Sequence, residues 1–254
     1  MADDTNTDVT DQVHKEQKKP VYESREGFET VPIYRGFYEI KKIFEITQPL
    51  GAIICGGYAR YCASNHKNPL VGADVDVYCP DDETFERLKT IFTVDHKLEI
   101  KHENEMALTF KKTTEGHLAH TPIIQLIKPI KEGRVVAVGS MEDILSNFDF
   151  SVVRAGIIND HECMVDADFI HDEERRILRL KNIHCPISST LRCMKYSSKG
   201  YWLPPFQCLK LFTDWDGRSD EYRQKLYDFL DEAQDGEGLS QEQVNEMEKM
   251  MRVD

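Results

Sequence analysis

The first stretch in which apolar residues recur at a helical interval runs from Tyr34 to Ile46, where Phe37, Ile40, Ile43 and Phe44 share a face. Upstream of it, Met1 to about Ser24 is polar and charged and nearly free of large apolar side chains. Such a segment cannot offset the entropy of ordering, so residues 1–25 are expected to form a flexible arm. The helix stops before Pro49-Leu50-Gly51; Ala52 to Cys55 then reads as a short buried strand, Gly56-Gly57 as a turn, and Tyr58 to Ser64 as a helix. From Ala73 to Tyr78 acidic and β-branched residues alternate with period two, which predicts a strand ended by Pro80-Asp81-Asp82. Asp82 is the expected N-cap of a helix carrying Phe85, Leu88 and Phe92. Further strands are predicted over Met106 to Phe110, Ile123 to Ile127 and Val135 to Val138, and a short helix capped by Ser140 over Met141 to Leu145. Phe148 to Ile158 reads as strand or extended chain.

Beyond His171 the pattern turns helical. A short basic helix is expected over Asp172 to Leu180, and a second over Ser188 to Lys199 with Gly200 in the left-handed capping position. Two acidic helices follow, Asp220 to Ala233 and Ser240 to Met251, the latter opened by a Ser240/Gln243 capping box. The fold class predicted is α+β, a mixed sheet flanked by helices and followed by a small all-helical part. The corresponding divisions are 26–170, a basic helical neck at 171–212, and acidic helices at 213–254.

Charge sharpens this division. The 254 residues carry a formal net charge of -13, which argues against non-specific coating of nucleic acid. Yet between Arg175 and Lys210 the charged residues are Arg175, Arg176, Arg179, Lys181, Arg192, Lys195, Lys199 and Lys210, with no acid among them. The balance reverses after Leu211. The seven cysteines are scattered, without a CxxC pair, so neither a disulfide framework nor a zinc knuckle is expected. With no apolar run near the ~18 residues that span a bilayer, the expectation is a soluble cytoplasmic protein.

Asp74 and Asp76 are the sharpest chemical signal. Residues i and i+2 of a strand point to one side, so both carboxylates can reach one position, where hard oxygen ligands suit Mg²⁺ or Mn²⁺. Gly56-Gly57 lies between a buried strand and a helix, where bare backbone N–H groups suit a triphosphate, with Arg60 one turn on. On the second neck helix Arg192, Lys195 and Lys199 are spaced to form one basic stripe. Each has a plainer explanation: a chance acidic pair, a tight turn, a solvated face.

Taken together, Gly56-Gly57-Tyr58-Ala59-Arg60 followed by Gly72-Ala73-Asp74-Val75-Asp76 resembles the signature of the polymerase-β-type nucleotidyltransferase superfamily. The similarity is greatest to the head and neck of CCA-adding enzymes and bacterial poly(A) polymerases, in which a GGxxRD stretch precedes DxD. Tyr61 stands where that aspartate would be. Asn147 to Ala155 is similar to the branch's RRDFTxNA motif, which implies that Asp149 lies near a nucleotide's sugar, although Phe148 and Val153 depart from it. Leu191 to Tyr196 looks like the neck helix, which implies that Arg192 and Lys195 face the nucleotide. Gln125 occupies a strand position where some superfamily members place a third acid.

The resemblance implies a metal-dependent enzyme that moves a nucleoside monophosphate from an NTP to a hydroxyl and releases pyrophosphate. Asp74 and Asp76 would be the catalytic metal ligands, and Gly56, Gly57, Arg60, Asp149, Arg192 and Lys195 would bind the nucleotide. An RNA 3′ end such as that of tRNA is the favoured acceptor, gripped by Arg192, Lys195 and Lys199. A protein partner at the acidic C-terminal helices is a further expectation. The alternative is a catalytically inactive protein of this fold with a binding or structural role, to which Tyr61, Phe148, Val153 and the lack of room for a long helical body point.

Overall fold

The computed structural model describes residues 25–67, 69, 74–132, 135–184, 186–224 and 227–228. The expected N-terminal arm, Gly72-Ala73, most of the Asp220 to Ala233 helix and all of the Ser240 to Met251 helix lie outside the described residues. In chain order the elements are β1 (Phe28–Pro32), α1 (Phe37–Thr47), β2 (Ile53–Cys55), α2 (Gly57–Ala63), β3 (Asp74–Tyr78), α3 (Asp82–Thr90), β4 (Ile100–Glu103), β5 (Ala107–Phe110), β6 (Ile123–Ile127), β7 (Lys131–Glu132), β8 (Val135–Val136), α4 (Met141–Ser146), β9 (Ala155–Ile157), β10 (Glu162–Asp166), α5 (Phe169–Arg175), α6 (Pro186–Ser197) and α7 (Pro205–Asp216). None of the described helices is long and apolar enough to cross a membrane.

Eight strands form one mixed sheet in the order β1-β10-β9-β2-β3-β6-β5-β4, and β7 and β8 pair separately. Within that sheet β3 and β6 run parallel and the other pairs antiparallel. Alternation explains which face of β3 is buried. Val75 and Val77 point into the main core with Ile54, Ile124 and Leu126, while Asp74, Asp76 and Tyr78 project to the opposite face. Helix α1 closes the core through Ile40 and Ile43, as its periodicity predicts. It starts at Gly36, whose backbone is left-handed (φ 73°) and whose missing side chain makes room for the Tyr61 ring; a Cβ there would stand 2.5 Å from a ring carbon. Tyr61 is thereby absorbed into packing, edge-on to Tyr58.

Most predicted elements appear at or near their expected bounds. The cap of α3 is Asp81, whose carboxylate accepts from the Thr84 N–H, so Asp82 is the first helical residue instead of the cap. Ser140 caps α4 in a reciprocal box with Asp143. Four strands, β1, β4, β7 and β10, escape the sequence pattern. Strand β4 is exposed on every residue and so carries no alternation to detect, and β1 is an edge strand ending in Pro32.

The basic segment differs most from expectation. Helix α5 lies earlier than predicted and ends at Arg175, capped by Arg176, a non-glycine residue in left-handed conformation (φ 56°). The chain then turns extended, bridging Phe150 through Leu180 and Trp202 through Ile177. A second core forms from Phe150, Val152, Leu178, Leu180, Cys193, Tyr201 and Leu211, joining the end of the sheet region to α6 and α7. Beside it, Arg179 and Lys181 are not solvated. Arg179 donates from Nε to Asp172 Oδ2 at 2.8 Å and from a terminal nitrogen to Asp172 Oδ1 at 3.0 Å, and Lys181 Nζ lies 3.0 Å from Asp166 and 2.8 Å from Asp168.

Removing one partner of such a buried group leaves the other uncompensated. Arg179→Met should therefore lower the unfolding free energy by about 3–5 kcal/mol in urea denaturation, whereas Lys111→Ala, which breaks the exposed pair with Glu99, should leave it nearly unchanged. Equal losses would show that the buried network contributes no more than a surface pair.

Candidate active site

The site begins where β2 ends. Gly56 holds a conformation (φ 85°, ψ -141°) essentially restricted to glycine, and its N–H donates to the Ala155 carbonyl at 2.8 Å, tying the turn to β9. A Cβ on Gly56 would approach Asp76 Oδ2 to 3.1 Å and the Phe148 ring to 3.7 Å. Glycine here thus lets the turn lie directly against the second carboxylate. Gly57 opens α2, and a Cβ added to it would meet no atom within 4 Å.

Across the sheet, Asp76 is in register with Cys55 on β2 and Gln125 on β6. Asp74 and Asp76 share the open face with Tyr78, and all three line a cleft of about 330 Å³ with Gly56, Gly57, Gln125, Phe148, Asp149, Val153, Arg192, Lys195 and Tyr196. Burial, followed by the charge of Asp74, pushes the Asp76 carboxyl up to about 7, while Lys195 and Arg192 pull it the other way. Two acids forced together in a recessed wall, with cations facing them, are suited to a divalent cation. Among the described residues no group of three or more His, Cys, Asp or Glu side chains could hold a metal. Asp74 and Asp76 are thus the two carboxylates in the cleft lining beside which a hard cation such as Mg²⁺ would be held.

The structure brings together seven of the residues expected from sequence: Gly56, Gly57, Asp74, Asp76, Asp149, Arg192 and Lys195. Arg60 is not among the residues lining the cleft. Its side chain is 3% exposed and donates to Glu173 at 3.3 Å and to the Tyr201 hydroxyl at 3.2 Å, tying α2 to α5 and the chain before α7. The Tyr201 hydroxyl in turn donates to Glu173, as does Ser64 at 3.0 Å. Lys199 also stands outside the lining, with its Nζ 5.8 Å from the Tyr196 ring centre. Burial, then repulsion from Lys195 and Arg60, lowers the Lys199 ammonium, and Asp74 acts in the opposite direction.

Asp149 lies in the cleft wall but is already engaged. Its Oδ2 accepts from Ser189 Oγ at 3.2 Å and from an Arg192 guanidinium nitrogen at 3.1 Å, both on α6. Tyr78, Phe148, Val153 and Tyr196 complete the lining and were not singled out as ligands from sequence. Alternation carried the signal for Tyr78, two residues beyond Asp76, and helical spacing that for Tyr196, four beyond Arg192. Tyr78 and Phe148 pack with ring centres 5.9 Å apart. Gln125 donates from Nε2 to Thr109 Oγ1 at 3.2 Å, leaving a neutral amide beside Asp76.

Gly56→Ala should cost about 1–3 kcal/mol of stability through backbone strain, and Gly57→Ala should be neutral or stabilise by up to about 1 kcal/mol, both read by urea unfolding. A tolerant Gly56 would mean that the turn is not held against Asp76.

No family model and no curated protein matches the chain. Among solved structures, a tRNA-processing enzyme in an apo form is 17% identical with a TM-score of 0.47, over 70% of this chain and 47% of that one. The Bacillus stearothermophilus CCA-adding enzyme in complex with CTP is 16% identical with a TM-score of 0.46, over 66% of this chain and 42% of that one. A tRNA nucleotidyltransferase complexed with a primer tRNA and an incoming ATP analog is 19% identical with a TM-score of 0.43, over 66% of this chain and 48% of that one. The chain thus spans less than half the length of each of these neighbours.

Proposed function

We propose that the protein is a metal-dependent nucleotidyltransferase. The observation that carries this reading is the pairing of Asp74 and Asp76 on one strand face, across a cleft from Arg192 and Lys195. The acceptor hydroxyl oxygen attacks the α-phosphorus of an NTP, the new P–O bond forms, and the bond to the bridging oxygen breaks. Pyrophosphate leaves and the hydroxyl proton passes to solvent. Asp74 and Asp76 would hold a divalent cation, which would supply charge neutralisation at the phosphates and lower the pKa of the attacking hydroxyl. Gly56 and Gly57 leave the near wall free of side chains for the triphosphate, and Arg192 and Lys195 neutralise its charge from α6.

An RNA 3′ end is the favoured acceptor because Lys195 on α6 and Lys199 in the turn just after it are both exposed. A binding role without turnover is the second reading. It draws on Arg60 being committed to Glu173, on Asp149 being committed to α6, and on the neutral Gln125 beside Asp76.

Incubation of each labelled NTP with Mg²⁺ or Mn²⁺, total RNA and the protein separates the two. Label transfer that disappears in Asp74→Ala/Asp76→Ala is expected. No transfer from any NTP to RNA or protein, together with no metal-dependent NTP binding by calorimetry, overturns the enzymatic reading. If RNA is the acceptor, Lys195→Ala and Lys199→Ala should each reduce the slope of log affinity against log salt by about 0.7. An unchanged slope would exclude α6 from the RNA path.

A further inference from the structure

Asp149 was expected from sequence to touch the nucleotide. Its surroundings assign it other work. The residue follows α4 and precedes the turn Ser151–Val153, and its side chain is only 5% exposed. Its backbone is fixed as well, since the Asp149 carbonyl accepts from the Lys181 N–H at 2.8 Å. The carboxylate is thus held rigidly on the sheet side of the molecule. Both of its α6 donors, Ser189 and Arg192, reach the same oxygen, Oδ2. They lie three residues apart on α6, and Lys195 lies three residues further along the same face.

One oxygen gripping two positions a turn apart sets the rotation of α6 about its axis, and with it the direction of Arg192 and Lys195. The Arg192 side chain remains 56% exposed while paired with Asp149, and it is part of the cleft lining. An arginine on an exposed helix face samples many rotamers, and a charge-assisted hydrogen bond to a fixed carboxylate removes most of that freedom before any ligand arrives. Its place in the cleft lining, opposite Asp74 and Asp76, is where a triphosphate would need such a fork.

We infer that Asp149 is a positioning residue: through Oδ2 it locks Arg192, and with it the cleft-facing side of α6, in the orientation that receives the triphosphate. This rests on the nucleotidyl-transfer reading for the ligand, but not for the clamp itself. Two measurements keep the two apart.

The first is calorimetric titration of Mg²⁺ with inorganic triphosphate into the wild-type chain, Asp149→Asn, Arg192→Ala and the double variant. Asp149→Asn retains volume and an acceptor oxygen but loses the charge. Each single variant should weaken binding about tenfold, and the double variant should be no weaker than Arg192→Ala within about twofold, the signature of two residues acting as one. Additive losses would mean that Asp149 touches the ligand on its own, and unchanged binding in Asp149→Asn would mean that it positions nothing; either overturns the inference.

The second is the Arg192 Nε–H signal in nuclear magnetic resonance spectra without ligand, assigned by its loss in Arg192→Lys. It should be a resolved, slowly exchanging resonance in the wild type and should collapse to the averaged position of free arginines in Asp149→Asn. Persistence of the resolved signal overturns the clamp. Should Asp149→Asn fail to unfold cooperatively on heating, Ser189→Ala takes its place and should broaden the same signal, an unchanged line again overturning the inference. A wild type that binds no triphosphate yet shows the Arg192 signal lost in Asp149→Asn would reject the nucleotidyl-transfer reading while leaving the clamp intact.

Discussion

Four acids that follow one another along a short stretch, Asp166, Asp168, Asp172 and Glu173, are almost wholly buried, and the rest of the molecule is arranged around neutralising them. Their cationic partners come from several different elements, near and far in the chain. Arg60 reaches in from α2, Arg154 from the end of the Ser151–Val153 turn, and Arg179 and Lys181 from the extended chain after α5. The Arg25 backbone N–H adds to Asp168 at 3.1 Å from the far end of the sequence. Burying a carboxylate is costly unless it is paired and hydrogen-bonded, so these groups are satisfied only when β1, β10, α2, α5 and the segment leading to α6 are all in place. The network therefore specifies how the helical part meets the sheet, a constraint that apolar packing of the second core alone would impose less sharply.

The candidate active site depends on that junction. Asp74 and Asp76 belong to the sheet, held by ladder hydrogen bonds to β2 and β6. Arg192 and Lys195 belong to α6, which is linked to the sheet region through the second core and through Asp149. The two halves of the cleft come from opposite sides of one interface, and their separation is set by that junction. Arg60 illustrates the division of labour. It sits on the glycine-turn helix, where sequence pattern suggests a phosphate ligand, but its guanidinium is committed to Glu173 and Tyr201 inside the junction.

Much of this was legible in the sequence. The alternation across Asp74 to Tyr78 requires Val75 and Val77 on one face and the acids on the other, and the structure has them so. The glycine pair lies between strand and helix as local backbone preferences dictate, and the apolar spacing of α1 marks its buried face. These features are decided by neighbours within a few residues, where period and propensity act. Strand β4 was invisible because nothing on it is buried, and α7, which was not predicted, opens at Pro205, a first helical position that needs no N–H donor.

The sequence by itself determined the central strands of the sheet, the shared face of Asp74 and Asp76, and the presence of a run of cations before an acidic end. What each cation does was decided only by the tertiary structure. Arg192 and Lys195 face the cleft while Arg179, Lys181 and Arg60 are spent on buried acids, although all read alike as basic residues on amphipathic chain. The reason is physical: a strand's faces follow from a period of two residues, but a buried charge is paid for by whichever opposite charge folding brings within about 3 Å, and that partner can lie more than a hundred residues away.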